Sequence, residues 1–212
     1  MKSVVILISG RGSNLQALLE APLPGRIAAV ISNRPQAAGL ELARRHGVAA
    51  IALDHRSYAN REQFDAALAA EIDRHDADLV VLAGFMRILG DDFVRRYSGR
   101  LLNIHPSLLP LFPGLDTHAR ALAAGVKIHG ASVHFVTPAL DAGPLVIQAA
   151  VPVLAADKEE TLAARVLAQE HKIYPQAVRW FLEGRLELSA EGRVALRGEG
   201  DAGPALIAPA LG

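Results

Sequence analysis

Asn103 and His105 stand two residues apart in LLNIHPSLLP (101–110), at the end of a run that otherwise reads as a buried strand. Residues two apart on a strand point to the same side, so a carboxamide and an imidazole are offered to one point. Two convergent donors are what a developing oxyanion needs. Pro106 follows at once and ends the strand, having no N–H for a ladder. The competing reading is a satisfied core histidine and an asparagine that forms the turn before the proline. These residues alone leave both readings open.

Ser9-Gly10-Arg11-Gly12-Ser13-Asn14 joins an apolar run to an amphipathic segment. Glycines permit a tight turn there, and free amides at a helix N-terminus favour an anion, phosphate above all. Ser13 and Asn14 add side-chain donors. The dinucleotide fingerprint is not met, because Leu15 holds the third glycine position and no acidic residue ends the second strand, which runs into Asn33-Arg34. A mononucleotide phosphate fits best. A structural turn, or an NADP phosphate beside Arg34, is the alternative. Asp141, in LDAGP, reads by itself as an ordinary turn residue. His129 and His134, five apart in one strand, face opposite sides and do not chelate one metal. The chain has no cysteine and no G-x-S-x-G elbow, which sets aside disulfides, thiolate nucleophiles, Cys-ligated metals and the serine-hydrolase arrangement.

These residues need a scaffold. VVILI (4–8), RIAAVIS (26–32), AAIAL (49–53), DLVVLAG (78–84) and LLNIH (101–105) are apolar runs separated by helical stretches. The first two helices span about 14–20 and 37–45. The third opens on Asn60-x-x-Gln63 and carries Phe64, Leu68 and Ile72 as one stripe. Continuous apolar strands alternating with helices predict a parallel sheet covered on both faces. Gly10–Asn14, Gly84–Arg87 and Asn103–His105 all follow strands, where α/β sheets bind ligands. HGASVHFVT (129–137) and PLVIQAAVPV (144–153) are too close for a crossover helix and should be antiparallel. Asp157-x-x-Glu160 opens a last helix, interrupted or kinked at Pro175 and stopped at Gly184. LELSAEGRVAL (186–196) reads as a hairpin about Glu191-Gly192. The expected fold is α/β: a Rossmann-like three-layer sandwich, its central sheet mostly parallel, with an antiparallel pair in the C-terminal half. One domain over 1–196 and a loose tail over 197–212 are expected.

With 22 basic and 22 acidic residues the net charge is zero, so no electrostatic footprint for nucleic acid exists. No apolar run approaches the ~18 residues of a membrane span. The opening VVILI is better read as a first strand than as a signal peptide, since no cleavage site follows. Small-molecule substrates and a cytoplasmic location are expected.

The stretches SGRGSNLQALL, LAGFMRIL, LLNIHPSLLP, HGASVHFVTPALDAGP and QEHKIYP, in that order, resemble the glycinamide ribonucleotide formyltransferase family of purine biosynthesis over residues 1–185. The N-x-H-P-S-L-L-P element and the aspartate loop are shared by the wider folate-dependent formyltransferase and hydrolase family. The early G-x-G-S-N element points to the ribonucleotide enzymes. The resemblance implies that residues 1–196 are a single formyltransferase domain. It would move a formyl group from 10-formyltetrahydrofolate, as co-substrate, to the amine of 5-phosphoribosylglycinamide, without a metal.

The resemblance implies that Asn103, His105 and Asp141 form a catalytic trio. It assigns Gly12, Ser13 and Asn14, with Leu167, Ala168, Gln169 and Glu170, to the ribonucleotide. Arg61, Met86, Arg87, Ile88, Leu89, Asn103, Thr137, Pro138, Ala139 and Leu140 are assigned to the folate. A monomer or homodimer is expected. The alternative within the family is a 10-formyltetrahydrofolate hydrolase, with water as acceptor. From a different class, an NADP-binding oxidoreductase or a non-catalytic nucleotide-binding module is the competing reading.

Overall fold

The alternation of apolar runs and amphipathic stretches becomes an alternation of strands and helices in the computed structural model, which describes residues 1–200 and 208. In chain order these are β1 (Ser3–Ile8), α1 (Ser13–Glu20), β2 (Arg26–Ser32), α2 (Ala38–Arg45), β3 (Ala49–Ala52), α3 (Arg61–Asp73), β4 (Leu79–Leu82), α4 (Asp91–Arg96) and β5 (Leu101–His105). There follow α5 (Thr117–Ala123), β6 (Ile128–Phe135), β7 (Leu145–Pro152), α6 (Glu159–Leu182), β8 (Leu186–Leu188) and β9 (Val194–Leu196). The main sheet has seven strands in the order β3-β2-β1-β4-β5-β6-β7. β1 pairs in parallel with β2 and β4, β2 with β3, and β4 with β5, while β6 and β7 are antiparallel.

The chain falls into two compact units, Met1–Asn103 with Phe135–Pro138, and Ile104–His134 with residues from Ala139 on. In the first unit every residue of β1 and β4 is buried, as a sheet covered on both faces requires. Val5, Leu7, Ile31, Val80 and Leu82 form one core with Phe64, Leu68 and Ile72 of α3 and Phe93, Val94 and Tyr97 at α4. On the other face Ile8 meets the start of α2 at Gly39, with Leu15 of α1 alongside. Three layers result. Asn60 caps α3 by accepting from the Gln63 N–H (2.9 Å), and the Gln63 side chain returns to the Ala59 N–H (3.3 Å).

In the second unit, α6 is not interrupted at Pro175, and it stops just before Gly184 as expected. The proline removes one backbone hydrogen bond, but Ile173, Tyr174, Ala177 and Val178 are buried around it, and tertiary packing rather than propensity holds a helix together. Asp157 anchors the turn before α6. Its carboxylate accepts from the Leu154 N–H (2.8 Å), the Thr161 hydroxyl (2.9 Å) and both terminal nitrogens of Arg165 (2.6 and 2.8 Å). β8 and β9 form the expected hairpin. The expected loose tail over 197–212 lies mostly outside the described residues.

Candidate active site

The end of β1 passes into Ser9–Gly12, and Gly12 is the N-cap of α1 in the left-handed conformation (φ 85°, ψ 35°). A side chain is disfavoured there for a second reason: a Cβ on Gly12 would lie 3.2 Å from the Gly39 Cα. The Gly39 N–H donates to the Gly10 carbonyl (3.1 Å), so the start of α2 braces the glycine turn. Ser13 and Asn14 open α1 behind it. Gly39 was not singled out in the sequence, where a glycine inside a helical stretch carries no sign of such a contact.

The hydroxyl of Ser9 ties this turn to the next one. It donates to Asn33 Oδ1 (2.6 Å) and accepts from the Met86 N–H (2.7 Å). The Ser9 N–H also donates to the Gly84 carbonyl (3.1 Å). Gly84 itself sits at φ 72°. Beyond it Met86 and Ile88 are exposed, and Leu89 packs partly against the core. Arg61 lies on the first turn of α3.

His105 ends β5 with its side chain buried. Its Nδ1 lies 3.4 Å from Asp141 Oδ2, and its Nε2 is 3.0 Å from the Phe112 carbonyl, to which it donates. Asp141 also accepts from the Gly114 N–H (2.8 Å) and faces His134 Nε2 at 3.8 Å. Thus two residues 36 positions apart in the chain are brought together, as the resemblance implied. Phe112 and Asp141, the two partners of the imidazole, both have positive φ, at 53° and 48°. Such backbone is uncommon outside glycine, persists where surroundings impose it, and clusters at functional sites.

A buried polar network fixes the segment between His105 and Phe112. Ser132 Oγ donates to the Ser107 carbonyl (2.7 Å) and accepts from the Leu109 N–H (3.0 Å), while Gln148 Nε2 donates to the Leu109 carbonyl (3.0 Å). Ser107 Oγ donates to the Leu111 carbonyl (2.6 Å). Phe112, Gly114, Ser132 and His134 were not found from the sequence. Backbone acceptors leave no compositional trace, and a serine inside a strand reads as neutral.

Asn103 lies two residues before His105 on β5. Leu167, Ala168, Gln169 and Glu170 lie on α6, with Glu170 buried. Thr137 and Pro138 follow β6, and beyond them Leu140 is exposed. No group of three or more His, Cys, Asp or Glu side chains among the described residues is arranged to hold a metal. No helix among the described residues is long and apolar enough to cross a membrane.

His129 and His134 serve different neighbours, as their parity in β6 requires. His129 is 1% exposed and meets His118 edge-on at 5.3 Å and Phe112 at 5.9 Å between ring centroids. Burial, then the His118 charge, push His129 down to about 4, against the Pro106 carbonyl, which favours the charged ring; His105 adds to the depression. Between that value and the ordinary 6.5, the unfolded chain binds a proton that the folded one refuses. Stability is therefore fully present above the upper value and falls as pH drops through this window. His129→Gln should remove a loss of roughly 3 kcal/mol between those limits. Thermal unfolding midpoints of both proteins from pH 7 to 4 check this, and parallel curves would contradict it.

The mostly parallel seven-stranded sheet, with one antiparallel pair, defines a Rossmann-like α/β fold. The chain belongs to the formyl transferase family, whose pattern matches residues 2–178. It is 53% identical over 190 residues to phosphoribosylglycinamide formyltransferase of Escherichia coli, covering 88% of this chain and 90% of that one. It is 44% identical over 195 residues to the human trifunctional purine biosynthetic protein adenosine-3, covering 90% of this chain and 19% of that much longer protein. The crystal structure of glycinamide ribonucleotide transformylase 1 from Symbiobacterium toebii superposes with a TM-score of 0.90 at 51% identity, covering 93% of this chain and 94% of the other.

Proposed function

We propose that this protein transfers the formyl group of 10-formyltetrahydrofolate to the amine of 5-phosphoribosylglycinamide, giving formylglycinamide ribonucleotide and tetrahydrofolate in purine biosynthesis. The observation that carries this reading is the likeness to phosphoribosylglycinamide formyltransferases over about nine-tenths of both chains. The hydrolytic alternative is not favoured by relatives that carry the transferase name. A single catalytic domain over 1–196, acting on small molecules as a monomer or homodimer in the cytoplasm, is part of the same proposal.

The chemistry follows from the His–Asp pair. The amine attacks the formyl carbon, its lone pair forming the new C–N bond while the carbonyl electrons move to oxygen. Collapse of that tetrahedral oxyanion breaks the bond to the folate nitrogen, which takes up a proton as the amine gives one up. Asp141, facing Nδ1, orients the imidazole. The Nε2–H, now directed to the Phe112 carbonyl, is the donor left for the formyl oxygen. Exchanging a neutral carbonyl for an oxyanion strengthens that hydrogen bond as charge develops, which lowers the barrier selectively. Asn103 is the second donor, and Asp141 relays the proton through water.

Gly12–Asn14 and Leu167–Glu170 hold the ribonucleotide in this reading. Arg61, Met86–Leu89 and Thr137–Leu140 hold the folate, with exposed Met86, Ile88 and Leu140 as its apolar wall. Purified protein given both substrates should form tetrahydrofolate and formylated ribonucleotide one for one. Folate turnover with no formylated product would overturn the reading.

A further inference from the structure

Ser9 follows the buried apolar run VVILI of β1 and is itself 2% exposed. A hydroxyl buried there costs stability unless its hydrogen bonds are made. It makes both kinds, donating to Asn33 Oδ1 at 2.6 Å and accepting from the Met86 N–H at 2.7 Å. Asn33 is also 2% exposed, and His55 fixes it in turn. The His55 backbone N–H (3.3 Å) and ring Nδ1 (2.9 Å) both donate to the Asn33 carbonyl. Asn33 follows β2, His55 lies beyond β3 and Met86 beyond β4. The sheet runs β3-β2-β1-β4 on this side. His55, Asn33, Ser9 and Met86 therefore form one hydrogen-bonded row across the carboxyl ends of four adjacent strands, the edge where α/β sheets bind ligands.

The backbone ladder already joins these strands, so the row adds something else. After β4, Phe85 and Leu89 pack against the core, while Met86 is 65% and Ile88 69% exposed. A segment that keeps apolar side chains out of the core is not located by burying them, and its backbone must be held instead. Ser9 supplies that hold at Met86, and its own N–H donates to the Gly84 carbonyl (3.1 Å). On its other side Ser9 runs directly into Gly10, whose carbonyl accepts from the Gly39 N–H (3.1 Å). One residue is thus joined to the glycine turn through the chain and to the Met86 segment through its hydroxyl.

We propose that Ser9 is a positioning residue for both substrates at once: its hydroxyl, aligned by Asn33, fixes the Met86–Leu89 segment at a set distance from the glycine turn. This inference rests on the assignment of Gly12–Asn14 to the ribonucleotide and of Met86–Leu89 to the folate. In that reading each substrate meets its own segment, so either binds without the hydroxyl. The hydroxyl governs where the amine and the formyl carbon stand relative to one another once both are bound. That placement controls the rate, since a misplacement of about 1 Å can cost roughly 100-fold in an oriented reaction. Ser9 acts through the two segments it joins and takes no part in making or breaking bonds.

The test compares single-turnover rates, both substrates saturating, with the binding of each ligand alone in Ser9→Ala and Asn33→Ala. Ser9→Ala removes the acceptor of the Met86 N–H. Its rate should fall roughly 10- to 100-fold, while 5-phosphoribosylglycinamide and a folate analogue each bind alone within about three-fold of the unsubstituted protein. Asn33→Ala leaves the hydroxyl its bond to Met86 but not its alignment, so its rate should lie between the two. The double variant should be no slower than Ser9→Ala, because both changes break the same row. A role confined to holding the fold together would lower the unfolding midpoint and leave the rate of the folded protein unchanged. A Ser9→Ala rate within about two-fold of the unsubstituted protein, or losses that multiply in the double variant, overturns the inference while the functional reading stands. Should Ser9→Ala not fold, the rate and binding of Asn33→Ala decide by the same criteria. An unsubstituted protein that forms no formylated ribonucleotide overturns the functional reading and the inference with it.

Discussion

His105→Ala should lower kcat by roughly 100- to 1,000-fold, the cost of removing one oxyanion donor. The imidazole is held from both sides, by Asp141 at 3.4 Å and the Phe112 carbonyl at 3.0 Å, so in the folded protein it is already oriented. That preorganisation is what the substitution removes. Substrate binding should change little, because the interaction strengthens only as charge develops on oxygen. Asn103→Ala should cost about 100-fold by the same argument. Single-turnover rates with both substrates saturating, beside a folate-analogue titration of each variant, separate chemistry from binding. Turnover within a few-fold of the unsubstituted protein in either variant would return that residue to a structural role. Folding should survive His105→Ala, since Asp141 keeps its hydrogen bond from Gly114.

The order and type of the long elements were legible in the sequence because they rest on periodicity. β1, β2 and β5 lie within a residue or two of their apolar runs, and Asn60 caps α3 as its spacing indicated. The short helices α4 and α5 were not. α4 has six residues between charged ends, DDFVRR, and buries only Phe93 and Val94, too few for a periodic signal. At Pro175 no interruption follows, because Ile173, Tyr174, Ala177 and Val178 are buried around it. In the candidate site, Asn103 and His105 were legible through parity and the following proline. Asp141 was singled out only through the family resemblance, because its partner is 36 residues away and its turn looks like any other. The acceptors around His105 escaped for a deeper reason. Phe112 acts through its carbonyl, and the conformation that aims it is imposed by Ser107, Ser132 and Gln148, which are distributed over forty residues of chain.

The glycine turn should decide between transfer and hydrolysis, and its expected effect is the largest after that of His105. A hydrolase needs folate and water but no phosphate site. Gly12 caps α1, where free amides and the helix dipole favour an anion. Binding energy from that remote phosphate can hold the amine beside the formyl carbon, making the step effectively intramolecular. The protein should therefore bind 5-phosphoribosylglycinamide in the absence of folate, with inorganic phosphate as a competitor.

Gly12→Val should abolish that binding. Its backbone sits at φ 85°, and the new side chain would press on Gly39 at the start of α2, so the turn must open. Ser13→Ala, at an exposed position that strains nothing, should weaken binding by several-fold only, as for one lost hydrogen bond. Both variants should still bind a folate analogue, which calorimetry with each ligand alone will report. In the unsubstituted protein, nearly all formyl groups lost from the donor should appear on the ribonucleotide, with little free formate. Formate released at one rate with and without the ribonucleotide, in a protein whose Gly12→Val variant behaves identically, would make the enzyme a hydrolase.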